Sequence, residues 1–242
     1  TGVEVNPIIA KTIMQERFVN LAQSLYADPR VRIVTDEGRS FIRRSQEECD
    51  VIQATLVDTW AATASGAFAL TENTLYTTEA FDDYLAHLTD QGVVTFTRWH
   101  WGNAPESQRL LVLVTAALER RGVPRAEARQ HVYFAEKQGM GTLLAKRTPF
   151  GASELDRLDT AAQASGFKTL VSPRGAGTDS LERLVDEGAH SAFVFGQSSD
   201  LSPPTDDRPF FFFFVKARDL WRGRPLRSNF TDPAVWILMA FG

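Results

Sequence analysis

The sequence predicts an α/β fold built on a mostly parallel sheet whose last strand runs antiparallel. Two observations carry that expectation. Short β-like runs alternate with helical stripes over the first hundred or so positions, and such alternation implies parallel strands, right-handed crossovers and helices on the sheet faces. The second is the apolar run Asp50-Val51-Ile52-Gln53-Ala54-Thr55-Leu56-Val57-Asp58-Thr59-Trp60, which follows an acidic segment and ends in small and polar residues. It reads as a buried central strand opening into a loop. Ligands of open α/β sheets sit outside the carboxyl ends of the strands, so Thr55, Asp58 and the loop beyond them are expected to wall a site.

Taken in order, Gly2 to Asn6 reads as a short strand, and Pro7 suits the first turn of a helix, where its missing N–H costs nothing. Ile8, Ile9, Ile13, Phe18, Leu21, Leu25 and Tyr26 form an approximately helical stripe that Asp28-Pro29 stops. Val31 to Val34 is a second strand. A turn at Thr35 to Gly38 leads into a helix over Arg39 to Glu48, and the central strand follows. Trp60 to Thr74, rich in Ala, Ser, Thr and Gly, is expected to be a loop or lid. Tyr76 to Leu88 is helical, and Val93 to Thr97 is a strand with Trp99-His100-Trp101 at its carboxyl end. Gln108 to Arg121 is an amphipathic helix. His131 to Ala135 and Gly141 to Lys146 form a hairpin around a glycine-containing turn. Helices over Leu155 to Ala164 and Leu181 to Ala189 bracket an extended piece at Lys168 to Ser172. After the polar loop Ser202 to Pro209, Phe210 to Phe214 running into Val215 reads as a final strand buried on both faces.

Composition narrows the function classes. The chain has 242 residues, 43% hydrophobic and 23% charged, with a net charge of −4. That is an ordinary globular balance, and it argues against nucleic acid as a partner, which calls for a basic face. The single cysteine, Cys49, makes no intrachain disulfide and suits a reducing compartment. His100 lacks a second histidine at metal-binding spacing, so no metal is expected. Nucleophile-elbow and P-loop patterns are absent. The apolar run from Ala234 to Phe241 is shorter than the ~20 residues of a membrane helix. It reads either as a packing segment or as the beginning of such a helix.

The candidate chemistry lies at strand ends. A carboxylate such as Glu4 offers two acceptor oxygens that match the adjacent hydroxyls of a ribose. Asp36 or Glu37 could accept from an adenine amino group, and Asp36 could equally cap the helix that follows. Asp58 could hold a cationic amine or act as a base. Glu72, Tyr76 and Trp99 are candidates for an acceptor pocket. Asp206, Asp207 and Arg208 read as an ion-paired loop anchor.

In this order the residues resemble the spermidine synthase-like branch of the S-adenosylmethionine-dependent methyltransferase fold. Val3-Glu4-Val5-Asn6-Pro7 is similar to that family's ribose-binding acidic strand. Asp36-Glu37-Gly38-Arg39-Ser40-Phe41 is similar to its adenine-binding turn, with Glu37 at the usual Asp position. Asp50-Val51-Ile52 looks like its central strand, with Cys49 where Tyr is common. The resemblance covers Thr1 to about Arg98 and, more loosely, the chain to Val215. There Asp206-Asp207-Arg208-Pro209-Phe210-Phe211 resembles the closing segment of bacterial members fused to membrane helices.

The resemblance implies a Rossmann-like methyltransferase sheet over 1–215, with its first strand–helix unit and Gly-rich loop upstream of Thr1. A linker and the start of a membrane helix would occupy 216–242. It implies a domain on the cytoplasmic face of the bacterial inner membrane, with a homodimer among the assemblies it allows. The donor would be S-adenosylmethionine or its decarboxylated form, with no metal, held by Glu4, Asp36, Glu37 and Thr55. Asp58, Glu72, Tyr76 and Trp99 would face the acceptor, a polyamine or another small molecule, and Asp58 would be the catalytic candidate. One departure touches the chemistry. Where aminopropyltransferases carry the first of two acids after the central strand this chain has Thr55, and Thr cannot take up a proton as a carboxylate can. A non-catalytic sensor or scaffold of a membrane protein is therefore the alternative, with a dinucleotide-dependent oxidoreductase as a further rival.

Overall fold

The structure, a computed structural model, describes residues 1–18, 20–21, 25–57, 72–101, 104–175, 179–216 and 219. The chain divides into two compact units, Thr1–Glu48 and Cys49–Gly242.

In the first unit, β1 (Gly2–Glu4) and β2 (Ile33–Thr35) pair in parallel with Glu4 opposite Thr35. The single helix expected between them is instead a π-helix, Ile8–Arg17, followed by a 3-10 turn at Leu25–Ala27. Ile8, Ile13 and Phe18 recur every five positions, which suits i→i+5 bonding; Phe18 N–H donates to Ile13 O at 2.9 Å. Helix α1 (Gly38–Arg44) opens at a side-chain cap.

In the second unit, β3 (Cys49–Thr55), β4 (Leu88–Trp99), β5 (Val132–Lys137), β6 (Met140–Ala145) and β7 (Lys168–Val171) form one sheet in the order β3-β4-β6-β5-β7. β3 and β4 are parallel, and β6 is antiparallel to both β4 and β5. β7 is antiparallel to β5. Three of the five strands (β3, β4, β5) therefore run one way, in a mixed α/β sheet whose parallel ladder is β3–β4.

Two expectations are corrected. The run at Asp50 to Thr55 is not central: among the described residues β3 pairs with β4 alone, and Val51 is 56% exposed. The run Phe210 to Phe214 is not a strand. Its carbonyls go elsewhere: Arg109 donates to the backbone oxygens of Phe210 and Phe211, and Asp200 N–H donates to Phe214 O. A segment so bound follows the arginine rather than a neighbouring strand.

The core lies between one sheet face and the helices α2 (Thr78–Ala86) and α3 (Pro105–Arg120). Alternation along β4 buries Val94, Phe96 and Arg98 on that face and leaves Thr95, Thr97 and Trp99 half-buried on the other. α2 starts at Thr77, whose hydroxyl oxygen accepts from Ala80 N–H and whose O–H donates to Asp206 Oδ1 at 2.6 Å. α3 has Pro105 at its first turn and is buried continuously from Arg109 to Leu118, more completely than an amphipathic stripe predicts. Helices α4 (Ala152–Ala164), α5 (Ser180–Asp186) and α6 (Ala192–Gly196) follow. α5 and α6 are capped by Asp179 and Ser191.

The β5–β6 turn is a two-residue hairpin loop, Gln138-Gly139, with φ of 52° and 77°. Both left-handed values match the turn that follows strand twist best. The expected lid at 60–74 lies outside the described residues except for its last positions, and the apolar end at 220–242 lies outside them altogether. Among the described residues no helix is long and apolar enough to cross a membrane.

Candidate functional site

The first unit brings three candidate acids to one end of its strand pair. Asp36 N–H donates to Glu4 O at 3.2 Å, so the chain leaves β1 and β2 side by side. Glu4 Oε1 accepts from Asn6 N–H at 2.8 Å, closing a turn on its own strand end. Asp36 Oδ1 accepts from Glu37 N–H at 2.8 Å, and Oδ2 pairs with the Arg44 guanidinium.

Glu37, and not Asp36, caps α1: its two oxygens accept from Arg39 N–H at 2.9 Å and Ser40 N–H at 2.7 Å. Partial burial opposes its charge. The Arg39 and Ser40 backbone bonds, the Ser40 hydroxyl and the Arg39 charge outweigh that and hold the carboxyl below its ordinary range. Capping does not exhaust these groups, since a carboxylate offers about four lone-pair sites. Arg44, with Arg32, Phe41, Ser45, Gln46 and Glu47, also lines a cavity of about 290 Å³ within this unit.

In the second unit the carboxyl ends of β3 and β4 coincide. Thr55 lies opposite Thr97, and Leu56 N–H continues the ladder to Thr97 O at 3.4 Å. Thr55 is exposed, with Oγ1 accepting from Gln53 Nε2 at 3.2 Å. Leu56 has a φ of 47°, a left-handed conformation costly for a side chain of its size, at the point where the strand gives way to the loop. Asp58 lies outside the described residues. Glu72 is exposed.

Trp99 is half-buried and meets Trp101 at a ring-centroid distance of 5.0 Å. Tyr76 is fully buried, stacked on Phe211 at 4.5 Å and edge-on to Phe96 and Phe212. Its hydroxyl accepts from Arg98 Nη1 at 3.2 Å. Tyr76 thus supports the strand end from within the core rather than presenting a face to solvent.

Two groups escaped the sequence reading. Arg98 and Arg109 sit in apolar surroundings and organise the segment after Asp200. Arg98 donates to Glu106 Oε2 at 3.0 and 2.7 Å and lies over the Phe212 ring. Burial pushes the Arg109 guanidinium down to about 10, partly offset by Asp200. Alternation along β4 would have put Arg98 on its buried face, beside Val94 and Phe96. His100 carries a feature that no local pattern announces: its Nδ1 is buried without a hydrogen-bond partner, and burial lowers its pKa against the opposing field of Glu136. Among the described residues no group of His, Cys, Asp and Glu could hold a metal ion.

No family model matches the sequence, and no curated protein matches it. Among solved structures, a spermidine synthase from Thermotoga maritima aligns with a TM-score of 0.40 at 18% identity. The alignment covers 63% of this chain and 46% of that one, so the chain spans about half the length of that structure. A likeness at this level transfers no function, and the site stands on this chain's own residues.

Proposed function

We propose that the chain is part of a transferase that uses S-adenosylmethionine or its decarboxylated form and moves a methyl or aminopropyl group to a small acceptor. The observation that carries this reading is the pairing of Glu4 and Asp36 at the carboxyl end of parallel strands, joined by the Asp36 N–H to Glu4 O bond. Acids at such an end suit the paired hydroxyls of a ribose and the amino group of an adenine. Glu4 takes the ribose, and Asp36 and Glu37 take the adenine edge.

The reaction is a displacement at a carbon next to a sulfonium. The acceptor lone pair forms the new bond, the carbon–sulfur bond breaks, and the thioether leaves neutral. Such a step needs positioning above all, and a base only where the nucleophile carries a proton. Asp58 is the proposed base, with Glu72 and Trp99 shaping the acceptor side; Tyr76, fully buried, takes no part in it. A polyamine is the proposed acceptor class, and the cytoplasmic face of a bacterial inner membrane is the proposed setting. One observation favours the binding-only alternative: Thr55, exposed at the end of β3, offers no carboxylate.

Calorimetry of the full-length protein with each form of the donor tests the reading. Binding that falls roughly tenfold in Glu4→Gln, as expected for loss of a charge-assisted bond, supports it. Folded protein that gives no heat with either form overturns it. Binding without turnover over a panel of amines leaves the sensor alternative standing instead.

A further inference from the structure

The cavity of about 290 Å³ in the first unit is walled by Arg32 on one side and by the end of α1 and the turn beyond it on the other. Arg32 stands at the start of β2, where its carbonyl accepts from Gly2 N–H at 2.8 Å. Asp36 follows the last residue of the same strand, about 13 Å further along extended chain. Phe41, Arg44, Ser45, Gln46 and Glu47 supply the remaining walls. Ser45 Oγ accepts from Glu47 N–H at 3.0 Å, and that short turn fixes Gln46 and Glu47 beside the cavity.

The charges left at this cavity are one of each sign. Arg44 is paired with Asp36 and Arg30 with Asp28, and Arg43 and Glu48, which flank the wall residues, have interactions of their own. Among the described residues the side chains of Arg32, Gln46 and Glu47 make no hydrogen bond or ion pair. A guest of one sign would meet one match and one repulsion. A zwitterion is matched twice: the guanidinium fork takes a carboxylate through two parallel bonds, and the Glu47 carboxylate accepts from an ammonium. The Gln46 amide can donate to the one or accept from the other. Phe41, half-buried, adds an apolar wall. The volume stands at the small end of ligand pockets, about 300–1,000 Å³, which suits an amino acid and is tight for a nucleoside.

We propose that this cavity binds a free α-amino acid with an apolar side chain, its carboxylate on Arg32, its ammonium on Glu47 and its side chain against Phe41. A peptide terminus supplies only one of the two charges and is not the guest. The site is independent of the transferase reading, since it requires neither donor nor turnover.

Calorimetric titration of the intact chain with L-leucine, in the absence of any donor, tests this. The expected result is saturable heat. Glycine lacks the apolar body, N-acetyl-L-leucine the ammonium and L-leucinamide the carboxylate, and each should bind about tenfold more weakly or worse, as expected for loss of one charge-assisted or apolar contact. Affinity for L-leucine should fall about tenfold in Arg32→Met and roughly three- to tenfold in Glu47→Gln, both changes at exposed side chains. No saturation within the solubility of L-leucine, equal binding of any of the three analogues, or unchanged affinity in a folded Arg32→Met protein overturns the proposal. Because L-leucine and its analogues are compared on the unaltered chain, the outcome does not depend on any variant folding.

Discussion

Arg109 Nη1 donates to Phe211 O at 2.6 Å, joining α3 to a residue 102 positions later. The same guanidinium reaches Phe210 O and Asp200 O and lies 4.5 Å from the Phe214 ring centroid. It therefore satisfies carbonyls that a strand partner would otherwise take. Arg109→Met is expected to cost about 3–5 kcal/mol, the range for breaking a buried charged network. Arg109→Lys keeps the charge but not the fork geometry, and should recover only part of that. Urea unfolding measures both, and a loss below about 1 kcal/mol for Arg109→Met would show that the clasp is dispensable.

Gly141 faces Phe134 across the β5–β6 pair, and a Cβ at Gly141 would lie 2.2 Å from Phe134 Cζ. Gly141→Ala should destabilise by about 1–3 kcal/mol through overpacking. Trimming the ring in the double variant Gly141→Ala/Phe134→Leu should cost less than the sum of the two single changes. Strict additivity in thermal melts would rule the contact out as the cause.

Gln138 holds a φ of 52° at the first turn position of the hairpin, where Asn is better tolerated. Gln138→Asn, at an exposed site, should raise stability by roughly 0.5 kcal/mol or a little more, by easing a left-handed conformation. An unchanged or lower melting temperature would contradict this.

His131 is buried, with Nδ1 bonded to Lys146 O at 3.1 Å. Burial lowers its pKa, against bonding to the Lys146 and Arg147 carbonyls and the field of Glu127, with the Lys146 charge lowering it further. A histidine with a depressed folded pKa contributes stability that is full above its unfolded value of about 6.5 and is lost as pH falls through the folded value. Melting temperature should therefore decline from about pH 6.5 downward, less steeply in His131→Gln. Identical pH slopes in the two proteins would remove His131 from the effect.

Glu37 shows where local reading stopped. Both Asp36 and Glu37 precede α1, and propensity alone names Asp36 as the cap. The backbone instead places Glu37 in the extended conformation of a cap residue (φ −79°, ψ 131°), within reach of Arg39 and Ser40 N–H, while Asp36 turns to Arg44. The acids at this strand end were legible in the sequence. How their oxygens divide between fold and ligand was not, because that depends on which carboxylate the turn aims along the helix axis.

By itself the sequence determined the α/β class, the hairpin around Gln138-Gly139, the approximate spans of α2 to α5 and the clustering of acids at strand ends. These follow from signals a few residues long: helical and strand periodicity, capping residues and turn residues. The tertiary structure alone decided that the phenylalanine run is a strap held by Arg109, that β3 lies at its sheet's edge among the described residues, and that Tyr76 belongs to the core. Those outcomes rest on hydrogen bonds and packing between residues far apart in the chain. An apolar run states that it will be buried, but not which partner buries it.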